Sequence, residues 1–256
     1  MTEKSIQSVD RALAILELFL GSSPELSVKE ISLATGLSKS TAHGIIRTLE
    51  RGGYLQQNPA DLKYKLGMKL FRLGNAFAGS LEIGGIARPI LRDLADRLKE
   101  TVHLVVRQQD EAIYVDKVEG PQSLRIYSHV GKRAPWHCTG VAKAILAYQD
   151  EDTVDRLLAQ AELQPFTKFT ITDVDQLREQ MRHIRENGFA LDNEEIELGL
   201  RCVAAPIFDH QGQAVASVSC SIPSLRLDET KLPEVVRTIT RAAAGISRGM
   251  GYLEQP

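Results

Sequence analysis

Near the N-terminus apolar residues return every three or four positions, and small or polar residues then interrupt them. In VDRALAILELFL they stand at Val9, Ala12, Leu13, Leu16 and Leu20, the spacing of one helical face. Gly21-Ser22-Ser23-Pro24 ends that run. In LSVKEISLATG, Ser27 followed by Glu30 reads as a capping box, so a second helix is predicted from Val28. Ile31, Leu33 and Ala34 give it an apolar side, and Gly36 supplies a turn. Ser38 can cap a third helix from Lys39 to about Arg51. Its buried stripe is expected at Ala42, Ile45, Ile46 and Leu49, leaving Lys39, Ser40, Thr41, His43, Gly44 and Arg47 on the open face.

Two short helices joined through a Gly turn, the second with small polar residues in its first turns, read as a helix-turn-helix. Bulk near that N-terminus would block approach to base edges. Ser and Thr hydroxyls can bond phosphates or bases, and Arg47 can reach a guanine edge or a phosphate. The plain alternative is a three-helix packing module with a polar outer face. GGYLQQNPADLKYKLG then reads as a β-hairpin, with Tyr54–Gln57 and Leu62–Leu66 as arms and residues 58–61 as the turn. Strand alternation would put Leu62, Tyr64 and Leu66 on one side and Lys63 and Lys65 on the other, where they suit a phosphate backbone. A hairpin directly after a recognition helix is a wing.

Further on, Leu70, Phe71, Leu73 and Phe77 are apolar beside a basic face, and Gly79, Gly84 and Gly85 are expected to break the helix. Ile90, Leu91, Leu94 and Leu98 stripe another helix. The segment between, with the first helix, is a candidate dimer seam; packing on its own winged domain is the alternative. The period then changes. Strands are expected at 102–108, 112–118 and 124–130, and helices in EDTVDRLLAQ and DVDQLREQMRHIREN, with Gly188 ending the second. RCVAAPIFD and AVASVSCSIP are strands joined by HQGQ in a hairpin, and a closing helix follows from about Thr230. Helices alternate with strands that come in hairpins, so the fold class is α+β with a largely antiparallel sheet. The domains are expected at 1–75, a linker helix region at 76–88, and 89–256.

One cluster in the body has the makings of a site. A loop ending at Pro135 enters a helix near Cys138 or Thr139, with Thr139 as a plausible cap and Gly140 small. Free N–H groups there can hold a carboxylate or phosphate, unless this is simply a capped helix. Ser219 and Ser221 lie two apart on a strand and share a face. Asp192 and the acidic run to Glu197 precede a strand bearing Cys202, although the run also reads as solvated surface. Together these groups could line a small polar pocket for a hydroxylated acid. No catalytic or metal motif accompanies them: G-x-S-x-G, P-loop, G-x-G-x-x-G and H-E-x-x-H are absent, and the histidines show no ligand spacing. Neither catalytic residues, nor a metal, nor a cofactor is expected.

Composition narrows the setting. The 256 residues suffice for two compact domains, and 43% hydrophobic with 25% charged is ordinary for a soluble protein. No apolar run approaches the ~18 residues that span a bilayer, so no membrane partner is expected. The polar start MTEKSIQSVD does not read as a secretory signal, and Cys138, Cys202 and Cys220 make no disulfide pattern, so a reducing cytoplasm is expected. The net charge of −2 hides an asymmetry: residues 1–75 hold ten Lys+Arg against seven Asp+Glu, the remainder 21 against 26. A mildly basic piece on an acidic body fits a locally anionic partner.

IQSVDRALAILELF, LSVKEISLATGLSKSTAHGIIRTLERGGYLQQ, KYKLGMKL and LDNEEIELGLRCVAAPIFD together resemble the IclR family of bacterial transcriptional regulators, along essentially the whole chain. The resemblance implies a winged helix-turn-helix, a linker helix and a GAF-like effector-binding domain. It also implies a homodimer or homotetramer on a palindromic double-stranded DNA operator. Ser38, Lys39, Ser40, Thr41, His43, Arg47, Lys63 and Lys65 would meet that DNA. The effector implied is a small 2-oxo or sugar acid. Its carboxylate would meet backbone N–H groups at Gly140 and Val141, with Asp192, Cys202, Ser219 and Ser221 around it. LRIYSHVGKRAPWHCTGVAKAILA and the DNEE…GLRC segment are most similar to repressors of pectin, xylonate and 2-keto-3-deoxygluconate catabolism. Ala142-Lys143 stands where a Gly-Lys pair is common, and Trp136 where relatives carry smaller apolar residues; both are expected to tighten the pocket.

Overall fold

The computed structural model describes residues 5–21, 23–80, 82–121 and 128–253, without the side chains of 75, 77–80 and 82. The chain separates into two compact units, Met1–Ser80 and Leu81–Pro256.

In the first unit, α1 (Gln7–Glu17) runs into a 3-10 turn at Leu18–Leu20, followed by α2 (Val28–Thr35) and α3 (Lys39–Arg51). The capping box forms in full: Ser27 N donates to Glu30 at 2.7 Å, and Glu30 N donates to the Ser27 hydroxyl at 3.3 Å. Gly36, at φ +67°, makes the left-handed turn between the two helices. The core of the unit is Ile15, Phe19, Ile31, Ala42, Ile46, Leu55 and Tyr64. Two predicted faces need correction. On α1 the core takes Ile15, with Phe19 just beyond, while Val9, Leu13 and Leu20 are exposed. On α2 only Ile31 is fully buried; Leu33 is 73% exposed and Ala34 is exposed. Both segments carry apolar residues around more of the helix than three-helix packing uses, so spacing alone leaves the inward side open.

β1 (Leu55–Gln57) and β2 (Tyr64–Leu66) pair antiparallel, with Leu55 opposite Leu66 and Gln57 opposite Tyr64. The second arm is shorter than predicted. Leu62 belongs to the turn, at φ +61°, so it leaves the strand alternation and is exposed rather than sharing the buried side of Tyr64. Gly67 must be glycine, because a Cβ there would lie 2.2 Å from the Gly53 carbonyl oxygen. α4 (Met68–Ser80) follows.

The second unit begins with α5 (Glu82–Leu98). Gly79 lies within α4, and Gly84 and Gly85 within α5, so none of the three breaks its helix as predicted. A glycine costs a helix only about 1 kcal/mol. The burial of Ile83, Ala87, Leu91, Leu94 and Ala95 along α5 outweighs it. Then come β3 (Thr101–Gln108), β4 (Glu111–Val118), α6 (Gly140–Leu146), α7 (Glu151–Gln160), α8 (Val174–Asn187), β5 (Ala190–Asn193), β6 (Leu200–Phe208), β7 (Ala214–Pro223) and α9 (Leu232–Gly249). The strand predicted at 124–130 falls mostly outside the described residues; Ser128–Val130 are loop and turn.

The sheet has the order β4-β3-β7-β6-β5, with every neighbouring pair antiparallel. Strand alternation divides its side chains between two cores. Val102, Leu104, Val203, Ala205, Val218, Cys220 and Ile222 pack with α5 and α9. The opposite face carries Val105, Ala190 and Ala204 against α6, with α7 and α8 outside. That second face also carries Ser217, Ser219 and Ser221 of β7 and Cys202 of β6.

Candidate functional site

Two regions draw the residues singled out by sequence. The first is α3. Ser38 starts it, with its hydroxyl accepting from Thr41 N at 3.2 Å and lying 3.0 Å and 2.9 Å from the hydroxyls of Ser40 and Thr41. That oxygen is committed to the helix end, so Ser38 positions its neighbours. Lys39, Ser40, His43, Gly44 and Arg47 are exposed along one side, and Thr41 is half-buried. The Arg47 guanidinium bonds Glu50 at 3.0 Å while staying 62% exposed. On the hairpin Lys65 is exposed and Lys63 half-buried.

The second region is a cavity of about 190 Å³ on the α6 side of the sheet. Gly140, Val141, Asp192, Cys202, Ser219 and Ser221 all line it. Register explains the convergence. Asp192 stands opposite Cys202, Cys202 opposite Ser221, and Ser221 opposite Thr101, one row across four strands. In the adjacent row Ala204 stands opposite Ser219, and Ser219 opposite His103. Directly opposed residues point to the same face, so these side chains share one surface. The Cys202 sulfur and Ser221 hydroxyl are 3.0 Å apart. Thr139 is the N-cap residue of α6, as predicted, but its side chain makes no capping bond. Its hydroxyl donates to the Pro135 carbonyl at 2.8 Å, leaving the first turn without a side-chain acceptor beside the cavity.

Electrostatics set Asp192 apart. It is buried; its Oδ1 accepts from Glu195 N at 2.7 Å, while Oδ2 has no partner among the described residues. Burial, partly offset by the Lys143 ammonium, pushes its carboxyl up to about 7. Burial and the same carboxylate push the Cys202 thiol well above its ordinary range, so it stays protonated and neutral. Behind Asp192, Lys143 meets Glu195 at 2.6 Å and Gln180 at 2.9 Å, both charges buried. The acidic run is therefore not uniformly solvated: Asn193 and Glu197 are exposed, but Glu195 turns inward to meet a lysine.

Neither Ala142 nor Trp136 is among the described residues that line the cavity. Ala142 packs into the core beneath the sheet, and Trp136 joins that core while donating to the Asp110 carbonyl at 3.0 Å. The expectation that they tighten the pocket is corrected accordingly.

The sequence and the fold have counterparts in known proteins. Residues 75–248 match the family profile described as "Bacterial transcriptional regulator IclR C-terminal", and residues 8–59 the "IclR helix-turn-helix domain". The chain belongs to the IclR family. The HTH-type transcriptional regulator XynR of Escherichia coli (strain K12) is 38% identical over 247 residues, which are 96% of this chain and 98% of XynR. KdgR of the same organism is 37% identical over 252 residues, 98% of this chain and 95% of KdgR. The crystal structure of the Thermotoga maritima IclR has a TM-score of 0.77 at 35% identity, covering 97% of this chain and all of that one. This IclR-family protein is thus a transcriptional regulator with an N-terminal helix-turn-helix.

Part of the cavity in this IclR-family protein was not legible in the sequence. His103, Tyr114, Ser128, Lys132, Arg133, Phe166, Ile196 and Leu200 also line it. His103 carried a usable signal, since a histidine inside the apolar strand VHLVVRQ is out of character for a buried strand. Phe166 carried none, because it reaches the cavity from a loop whose path depends on Thr167 and Thr170 donating to the carbonyls of Glu194 and Glu195. Among the described residues no helix is long and apolar enough to cross a membrane.

Proposed function

We propose that this regulator acts in the cytoplasm as a repressor, binding a palindromic operator as a homodimer or homotetramer and changing its affinity when a small 2-oxo or sugar acid enters the sheet cavity. Residues 1–75 form the DNA-binding domain and residues 89–256 the effector-binding and oligomerisation domain, joined through 76–88. In the major groove, Ser40, Thr41, His43 and Arg47 face bases or adjacent phosphates, while Lys39, Lys63 and Lys65 hold the backbone. The observation that carries the effector reading is the gathering of Gly140, Val141, Asp192, Cys202, Ser219 and Ser221 around a single cavity. An acid held there alters how the body holds the linker helices and hence the spacing of the two winged domains. A tenfold change in operator affinity needs only ~1.4 kcal/mol of differential binding.

The test is binding to the DNA flanking the protein's own gene, against a scrambled duplex, across salt concentrations and with a panel of 2-oxo and sugar acids. Selective binding altered by one acid is expected. Selective binding that no acid changes, with no thermal shift from any of them, would leave a constitutive DNA-binding protein whose body only oligomerises.

A further inference from the structure

The cavity has a second polar wall. His103 on β3 is buried, its Nε2 is 2.6 Å from the Ser128 hydroxyl, and both line the cavity. The pair is held from several sides. The Lys117 ammonium donates to the Ser128 carbonyl at 3.0 Å, and the Tyr114 ring packs edge-on to the imidazole at a centroid distance of 5.3 Å. Burial, with Lys117 nearby, lowers the His103 imidazole to about 3, so it is neutral at any physiological pH.

The Nε2–Oγ hydrogen bond uses one donor and one acceptor of the pair, which leaves the second ring nitrogen and the remaining capacity of the hydroxyl oxygen to meet a ligand. That chemistry matches alcohol groups, which both donate and accept, better than a carboxylate, which only accepts and draws no charge stabilisation from a neutral ring. The wall is also distant from Asp192. β5 and β3 are three strand spacings apart, so the Cα rows bearing Asp192 and His103 lie roughly 14 Å apart. A three-carbon acid, with C–C bonds of ~1.5 Å, occupies only a fraction of that span. A five- or six-carbon chain whose carboxylate met the start of α6, beside the backbone of Asp192 and Cys202, would carry its distal hydroxyls toward β3.

We propose that His103 and Ser128 form a hydroxyl-reading wall that selects polyhydroxylated acids over short or unsubstituted 2-oxo acids at this cavity. The inference rests on the effector reading of the cavity and names its substrate class. The wall sets specificity; the anchoring of the acid stays with the groups at the other end.

The test is calorimetric titration of the full chain with gluconate and with pyruvate, repeated on His103→Leu and on Ser128→Ala. The second variant removes only an oxygen from a half-buried loop residue and keeps the test valid if the first fails to fold. Wild type is expected to bind gluconate more tightly than pyruvate. Each folded variant is expected to lose roughly tenfold or more toward gluconate, the scale of a buried hydrogen-bonding partner removed, with pyruvate nearly unaffected. Equal losses for both acids, or no loss in Ser128→Ala, would overturn the inference. Wild type that binds pyruvate but not gluconate sinks it while leaving the effector reading intact. A protein that binds no acid from a broad panel sinks both.

Discussion

Arg47 stands on the exposed side of α3 with its guanidinium on Glu50. An exposed pair of this kind is worth about 0–1 kcal/mol, so a phosphate or a guanine edge displaces Glu50 with little loss. Arg47→Ala is therefore expected to weaken operator binding by ~1–3 kcal/mol, read by fluorescence anisotropy at fixed salt; unchanged affinity and sequence preference would remove Arg47 from the readout. Asp192 makes a pH-dependent case. Its carboxyl is raised from 3.8 to about 7, so the folded state holds the proton more tightly than the unfolded chain. Its contribution to stability is complete below the unfolded value and is lost as pH rises through the folded one. Between about pH 5 and 8 the wild-type melting temperature should therefore fall more with rising pH than that of Asp192→Asn. Parallel curves would show that Asp192 ionises normally. A proton on Asp192 also removes repulsion toward an anionic ligand, so acid binding should tighten as pH drops below about 7. At this scale the sequence disclosed that Ser219 and Ser221 share a face, because strand alternation fixes a face from spacing alone; Asp192 and Cys202 were marked by their place before and on the neighbouring predicted strand and by the family resemblance. It did not disclose that Glu195 turns inward, because its partner Lys143 lies 52 positions away.

α6 is seven residues long and buried throughout, and its lysine fastens it to α8 through Gln180 and to the segment after β5 through Glu195. Removing one member of a buried pair leaves an uncompensated charge. Lys143→Met is expected to cost ~3–5 kcal/mol in urea denaturation, and Lys143→Met with Glu195→Gln to recover most of it. A double variant no better than the single would mean the pair holds the elements together by some other contact. The helices α2, α3 and α8 were legible from their caps, since Ser27, Ser38 and Gly188 impose local geometry that distant packing does not alter. β5 was not: four residues, ALDN, carry too little alternation to register, and only pairing with β6 makes them a strand. The faces of α1 and α2 were misjudged because burial there is decided by neighbours that spacing cannot name.

For the whole molecule, the exposed apolar residues of the first unit bear on the proposed dimer. Ile6, Val9, Leu13 and Leu20 on and beside α1, and Met68, Phe71 and Leu73 on α4, are all about half or more exposed. Such side chains suit a partner subunit. Because Leu13 lies outside its own core, Leu13→Asp should leave the fold intact, lower the mass measured by light scattering, and weaken operator binding by ~10²-fold or more as the two half-sites become uncoupled. A variant of unchanged mass and affinity would place the seam elsewhere. The same chain also divides its labour along β7. Ser217, Ser219 and Ser221 look into the α6 side, while Val218, Cys220 and Ile222 belong to the core under α5 and α9. Ser219 and Ser221 line the cavity, so variation there would retune what it accepts, while the even positions and the fully buried Ser217, whose hydroxyl donates to the Val141 carbonyl, keep the sheet folded. A lineage could change its signal by altering two residues of one strand, and a library confined to those two positions would explore new ligands without re-solving the fold.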